Sequence, residues 1–156
     1  PSLSNSKNLG VFANKAYEID SNGNPKNGLP LRNGMPLSSH RTSGGECTSS
    51  RIWYEGLNNN YVAAIQRIEL HLGREVPLVT AYRTYDEQVC LYNKYNGTGQ
   101  PVAAPGTSNH NKGLAVDANS DWLNSNSGLR QTFRQYNLCE TVANDPGHFE
   151  LCGSFK

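Results

Sequence analysis

Apolar residues are unevenly spaced along the chain, and the spacing changes character near residue 50. Before that point Asn, Ser, Gly and Pro dominate, as in Ser21-Asn22-Gly23-Asn24-Pro25, and neither a helical nor a strand period is sustained. Turns and extended segments are expected there. Beyond it, Val62, Ile65, Ile68, Leu70 and Leu72 recur mainly at helical spacing and predict a helix over 60–72, with Gly73 as its stop. Val76 to Ala81 reads as a short buried strand. Thr84 is placed to cap a second helix over 85–95 that turns Val89, Leu91 and Tyr92 inward, and Asp86 and Glu87 suit the positive end of its dipole. Asn96 to Asn111 is rich in turn residues. Gly113 to Ala118 alternates, with Leu114 and Val116 on one face and Ala115 and Asp117 on the other. A third helix is expected over 125–136. Gly147 to Leu151 alternates again, Phe149 and Leu151 lying opposite His148 and Glu150. This order predicts an α+β fold: a small antiparallel sheet flanked by helices, after a long irregular N-terminal segment. The expected division is an irregular segment, 1–50, packed on or linking to a domain formed by 51–156.

Composition limits the function classes. The chain has 156 residues, a formal net charge of +1, 36% hydrophobic residues and a mean hydropathy of −0.64. That suits one domain with a modest core. Near-neutral charge without a basic run gives no basis for nucleic-acid binding. No apolar stretch approaches the ~20 residues of a membrane span. A monomer is expected. The chain begins at Pro1 and its only Met is Met35, as expected of a processed product from which any signal peptide has been removed. Four cysteines, Cys47, Cys90, Cys139 and Cys152, suggest two disulfides and a secreted or cell-envelope location. Of the three pairings they allow, Cys139–Cys152 with Cys47–Cys90 is favoured, because the first closes a short loop around His148. No CxxC pair exists to build a thiolate metal site. Asn96-Gly97-Thr98 is a glycosylation sequon wherever the source organism glycosylates.

The chemistry concentrates on the polar faces of the two alternating segments. If these strands pair, Asp117 and His148 become neighbours, since directly opposed Cβ atoms lie about 5 Å apart. His110 stands seven residues before Asp117, with Gly113 as a hinge between them. Two imidazoles and one carboxylate then converge, and three protein ligands plus a water is the pattern of a catalytic zinc site. His40 and His71 have no such company and read as surface or packing residues. No GxSxG elbow points to a serine hydrolase.

The residues around these ligands carry a resemblance. Ser108-Asn109-His110-Asn111-Lys112-Gly113-Leu114-Ala115-Val116-Asp117 fits SxHxxGxAxD, and Asp145-Pro146-Gly147-His148-Phe149-Glu150 places an acid three residues before a His. Ala81-Tyr82-Arg83-Thr84-Tyr85-Asp86-Glu87-Gln88 is similar to a YRxxxxQ segment. Together, over about Val76 to Leu151, they resemble the zinc D-alanyl-D-alanine carboxypeptidases of the VanY type and their peptidoglycan endopeptidase relatives. The resemblance implies one Zn²⁺ per chain held by His110, Asp117 and His148. It implies Asp145 as general base and Arg83 as a cation beside the substrate. Ser108, Glu150, Gln88 and Tyr82 are candidates for supporting the ligands or binding substrate, with Ser108 and Glu150 able to orient a ligand imidazole through its other nitrogen. The implied substrate is a peptidoglycan stem peptide. Removal of a terminal D-alanine ranks first, endopeptidase cleavage (for example L-Ala-D-Glu) second, and a non-catalytic zinc-binding module third. Many carboxypeptidases of the family carry Glu and Trp-His in the second motif. Here Asp145 is one methylene shorter, and Gly147 leaves that wall of the pocket open.

Overall fold

The computed structural model describes residues 38–153 and the two short strands Leu31–Arg32 (β1) and Met35–Pro36 (β2), which pair antiparallel. The turns expected at Ser21-Asn22-Gly23-Asn24-Pro25 lie outside the described residues. The domain then runs α1 (Asn59–Leu72), β3 (Leu78–Thr80), α2 (Tyr85–Tyr95), a 3₁₀ turn (Asn109–Lys112), β4 (Val116–Ala118), α3 (Ser120–Asn124), α4 (Leu129–Gln135), β5 (Leu138–Glu140) and β6 (His148–Leu151). The fold is α+β, with one four-stranded antiparallel sheet in the order β3-β4-β6-β5.

Local chemistry accounts for the element ends. The Asn58 side chain caps α1 by accepting from Asn60 N–H, and Gly73 ends it in a left-handed conformation. Thr84 and Glu87 form a reciprocal capping box at the start of α2. The third helix expected over 125–136 starts only at Leu129, and a short helix that was not expected, Ser120–Asn124, precedes it. Asn119 accepts from Trp122 N–H and starts a short helix at Ser120. Asn126 Oδ1 then accepts Gly128 N–H at 2.8 Å, a turn that separates the two helices. The strand expected from Gly113 begins only at Val116. Gly113, at φ 71°, closes the 3₁₀ turn, and a Cβ there would stand 2.3 Å from Gly56 O. β5 was not foreseen, because three residues carry too little alternation to read as a strand.

The core lies between α1, α4 and one face of the sheet. Trp53, Tyr61, Ile65, Ile68, Val116, Leu123, Phe133, Leu138 and Phe149 are all buried within it. Phe133 and Phe149 stack with centroids 4.5 Å apart. Trp53 comes from the stretch before α1, and so do several contacts that close the fold. Ser43 and Gly44 donate to Leu78 O and Val79 O on the free side of β3. Ser38, His40 and Val76 N–H all hydrogen-bond the buried Glu69 carboxylate of α1. Residues 38–50 therefore pack on the domain as a strap over a sheet edge that would otherwise expose its backbone. Two disulfides form, Cys47–Cys90 between the strap and α2 and Cys139–Cys152 across the end of β5 and β6. Among the described residues no helix is long and apolar enough to cross a membrane.

Candidate metal centre

β4 and β6 pair so that Asp117 stands directly opposite His148, while Val116 and Phe149 pair on the core side. The register follows from the alternation: placing the apolar residues inward puts the acid and the imidazole together on the other face. His110 arrives from the 3₁₀ turn, whose N-cap Ser108 accepts His110 N–H. His110 Nε2 and His148 Nδ1 each lie 3.2 Å from Asp117 Oδ1.

The second nitrogen of each imidazole is already engaged. His110 Nδ1 is 2.8 Å from Ala81 O, which only accepts, so Nδ1 carries the proton and donates. His148 Nε2 donates to Glu150 Oε2 at 2.8 Å, and Asn109 Nδ2 donates to the same oxygen. With neutral rings, the nitrogens facing Asp117 are then lone-pair acceptors. In that protonation state three acceptors converge with no donor among them, which is a geometry for a cation. Ligands at ~2.0–2.1 Å in a tetrahedron are about 3.3 Å apart, close to the two measured distances. One atom from each of His110, Asp117 and His148 lies within 4.8 Å of the others. The donor set, two nitrogens and one carboxylate oxygen, suits zinc.

Without an ion the same group is held together by protons, a charged His148 donating to Asp117. Burial alone would raise the Asp117 carboxyl, but the two imidazoles outweigh it and hold that carboxyl far below the usual carboxylate range. Burial works against charge on His148, yet hydrogen bonds to Asp117 and Glu150 push it up to about 9. Burial, and then the neighbouring charge of Asp117, raise Asp145, while His148, His110 and Arg83 pull it back.

Asp145 Oδ2 lies 3.7 Å from His148 Nδ1, on the open side of the group. Arg83 Nη2 stands 3.5 Å from Asp117 Oδ2. Its Nη1 donates to Gln88 Oε1 at 2.9 Å, and Gln88 Nε2 donates to Ala103 O. These residues, with Ser108, Leu91, Tyr95 and Val142, line a cleft of about 480 Å³. Two expectations need correction. Ser108 does not orient an imidazole through its nitrogen; its hydroxyl serves the backbone of the turn, and the Ala81 carbonyl holds the ring. Tyr82 does not line the cleft; its ring lies under Arg51 and against Gly56. Glu150 does bond an imidazole. Sequence reasoning missed Thr80, whose hydroxyl donates to Asp117 Oδ2 at 2.8 Å, and Asn109. Thr80 pairs with Asp117 across β3 and β4, so only knowledge of strand order could have found it.

No curated protein matches the chain. Among solved structures it is similar to one described as "Structure of the LdcB LD-carboxypeptidase reveals the molecular basis of peptidoglycan recognition", with 20% identity and a TM-score of 0.49 over 64% of this chain. This chain spans 60% of that structure's length. The model of the family VanY, D-alanyl-D-alanine carboxypeptidase, matches residues 57–156. That range holds every residue of the convergent group and its cleft, and the chain belongs to the VanY D-alanyl-D-alanine carboxypeptidase family.

Proposed function

We propose that this chain is a zinc peptidase acting on peptidoglycan stem peptides, and that it removes a terminal D-alanine. The observation that carries this is the convergence of His110 Nε2, Asp117 Oδ1 and His148 Nδ1 at the floor of an open cleft, with an acid and a cation beside them. His110, Asp117 and His148 would hold the zinc. Bound zinc would supply a Lewis acid for the scissile carbonyl and a water acidic enough to ionise near neutral pH.

The chain's own residues do the rest. Asp145 takes a proton from the attacking water and passes it to the leaving amine. Its raised pKa suits that exchange better than an ordinary aspartate would, because proton transfer is most effective when the pKa lies nearer the working pH. Arg83 keeps its charge in the cleft wall and faces the oxygen on which negative charge develops. Thr80 and Arg83 both hold Asp117 Oδ2, which leaves Oδ1 for the metal side. Ala81 and Glu150 fix the two imidazoles so that neither needs to turn during the reaction.

Endopeptidase cleavage is the second reading. The cleft is open, and Asp145 with His148-Phe149-Glu150 is closer to the endopeptidase relatives. Digestion of purified peptidoglycan, with products identified by mass spectrometry, separates the two. Free D-alanine alone is expected. New amino termini within the stem would move the assignment to the endopeptidases, and no product with or without added zinc would overturn the proposal.

A further inference from the structure

We infer that Asn111 is a positioning residue that locks the turn bearing Arg83, and the loop leading into the cleft, to the turn bearing His110. The inference rests on the zinc-peptidase reading for the role of Arg83.

Asn111 follows His110 in the 3₁₀ turn. Its Nδ2 donates to two carbonyls, Arg83 O at 2.8 Å and Thr84 O at 3.1 Å. Its Oδ1 accepts Gly106 N–H at 3.1 Å. One side chain therefore joins three pieces of chain, one of them 27–28 residues away in sequence. The first is the metal-ligand turn to which it belongs. The second is the Tyr82–Thr84 turn, from which the Arg83 guanidinium enters the site. The third is the loop through Gly106, which continues into Thr107 and Ser108 of the cleft wall.

The geometry explains why an amide stands here. Two donated bonds from one atom and one accepted bond on another require a primary amide. Aspartate has no donor to offer the carbonyls, and serine has only one. The Arg83 turn is held at the carbonyl of Ala81 by the His110 ring and at Thr84 by the capping box, and the bond that remains for Arg83 O comes from Asn111. Arg83 N–H donates to His110 O, and Tyr82 O is held from the strap by Arg51. The guanidinium has little freedom to correct a displaced backbone. It is largely buried, Nε has no hydrogen-bond partner among the described residues, and only Gln88 and Asp117 hold its other nitrogens. A shift of the turn therefore passes directly to the cation beside the reacting oxygen, and a displacement of about 1 Å at such a group costs up to 100-fold in rate.

The test is a double-mutant cycle on the zinc-loaded protein, read as kcat and KM on a stem peptide, with amide exchange as a second readout. Asn111→Ala is expected to lower kcat roughly 10- to 100-fold, with zinc content still one per chain. In an Arg83→Ala background the same change is expected to cost less than about twofold, because a residue acting through Arg83 has nothing left to position. Multiplying effects would show that Asn111 acts independently and would overturn the inference. Exchange at the Gly106 and Arg83 amides is expected to speed up in Asn111→Ala, whereas Asn111→Asp, which keeps the acceptor, retains protection at Gly106 alone. Unchanged protection at both amides in Asn111→Ala overturns the coupling even if the wild-type protein cleaves no stem peptide. That inactivity would by itself refute only the proposed function.

Discussion

Gly147, immediately before His148, gives the sharpest quantitative test of how the site is built. Its backbone sits at φ +89°, its N–H donates to Glu140 Oε2 at 2.9 Å, and its carbonyl accepts Ala118 N–H at 2.8 Å. A Cβ at this position would stand 2.5 Å from Ala118 O, closer than the 3.0 Å that real Cβ atoms essentially never cross. Gly147→Ala therefore carries two costs. A left-handed backbone costs an L-residue about 1–2 kcal/mol. Relieving the contact stretches the Ala118–Gly147 hydrogen bond, worth about 1 kcal/mol. The sum, about 2–3 kcal/mol, corresponds to a Tm drop of roughly 6–12 °C for a domain of this size. Because Ala118 follows Asp117 and Gly147 precedes His148, the same movement separates two of the three proposed ligands, so zinc affinity falls as well. Circular dichroism melts with and without zinc measure both effects. Gly147→Trp, which installs the residue common in the family, is expected to be at least as damaging. A Tm within 2 °C of wild type for Gly147→Ala would show that the glycine answers no backbone demand, and the reasoning would fail.

Three further outcomes are expected. Asp145→Asn should keep its zinc and lose about 10²- to 10⁴-fold in kcat, the range for a positioned acid–base group; full activity would remove Asp145 from the mechanism. Adding zinc to metal-free protein at pH 7 should release about one proton per ion, because His148, held at about 9, is charged without metal and must be neutral to bind it. Calorimetry in buffers of different ionisation heat reads this directly, and a heat independent of buffer would refute it. Burial opposes ionisation of Glu87, but Arg51 and the N–H groups of Ser49 and Thr84 overcome it and lower its pKa from 4.5 to about 2. A depressed carboxyl stabilises the fold above the unfolded value and loses that contribution as pH falls from about 4.5 towards 2. The loss is on the order of 2–3 kcal/mol and is checked by urea unfolding of wild type and Glu87→Gln at pH 7 and pH 3. Equal pH dependence in the two would sink the assignment.

The site was legible in the sequence to the extent that its geometry follows from alternation. Asp117 and His148 each sit on the polar face of a short strand with a clear apolar face, so burying Val116 and Phe149 leaves one arrangement. His110 was legible through its motif and through Gly113, whose positive φ closes the turn. What escaped was contributed across strands or through the backbone. Thr80 meets Asp117 only because β3 lies beside β4, and the Ala81 carbonyl has no side-chain signature. The strap shows the same limit. Residues 38–50 lack any period because they pair singly, through Ser43, Gly44 and the Arg41–Ile52 bridge, rather than along a strand. Helix α4 starts four residues later than expected because the Asn126–Gly128 turn occupies the first part of the range, and α3 escaped because five residues carry too little spacing to read.

The two departures from the family's second motif are best understood together. Asp145 and His148 belong to one tight turn, closed by His148 N–H donating to Asp145 O at 3.3 Å. Asn144 enters it at φ 62° and Gly147 leaves it at φ 89°, conformations that Asn and Gly tolerate and a bulky residue does not. In so tight a turn the carboxylate and the imidazole start from neighbouring points, and Asp145 already brings Oδ2 to 3.7 Å from His148 Nδ1. The turn in turn depends on Gly147, since a side chain there would meet the Ala118 carbonyl. Gly147 is thus a condition for Asp145 to stand beside His148 Nδ1. It is not a wall left out of the pocket. One backbone geometry involves both positions, and it keeps the Asp145 carboxylate beside the three convergent side chains at the edge of the open cleft.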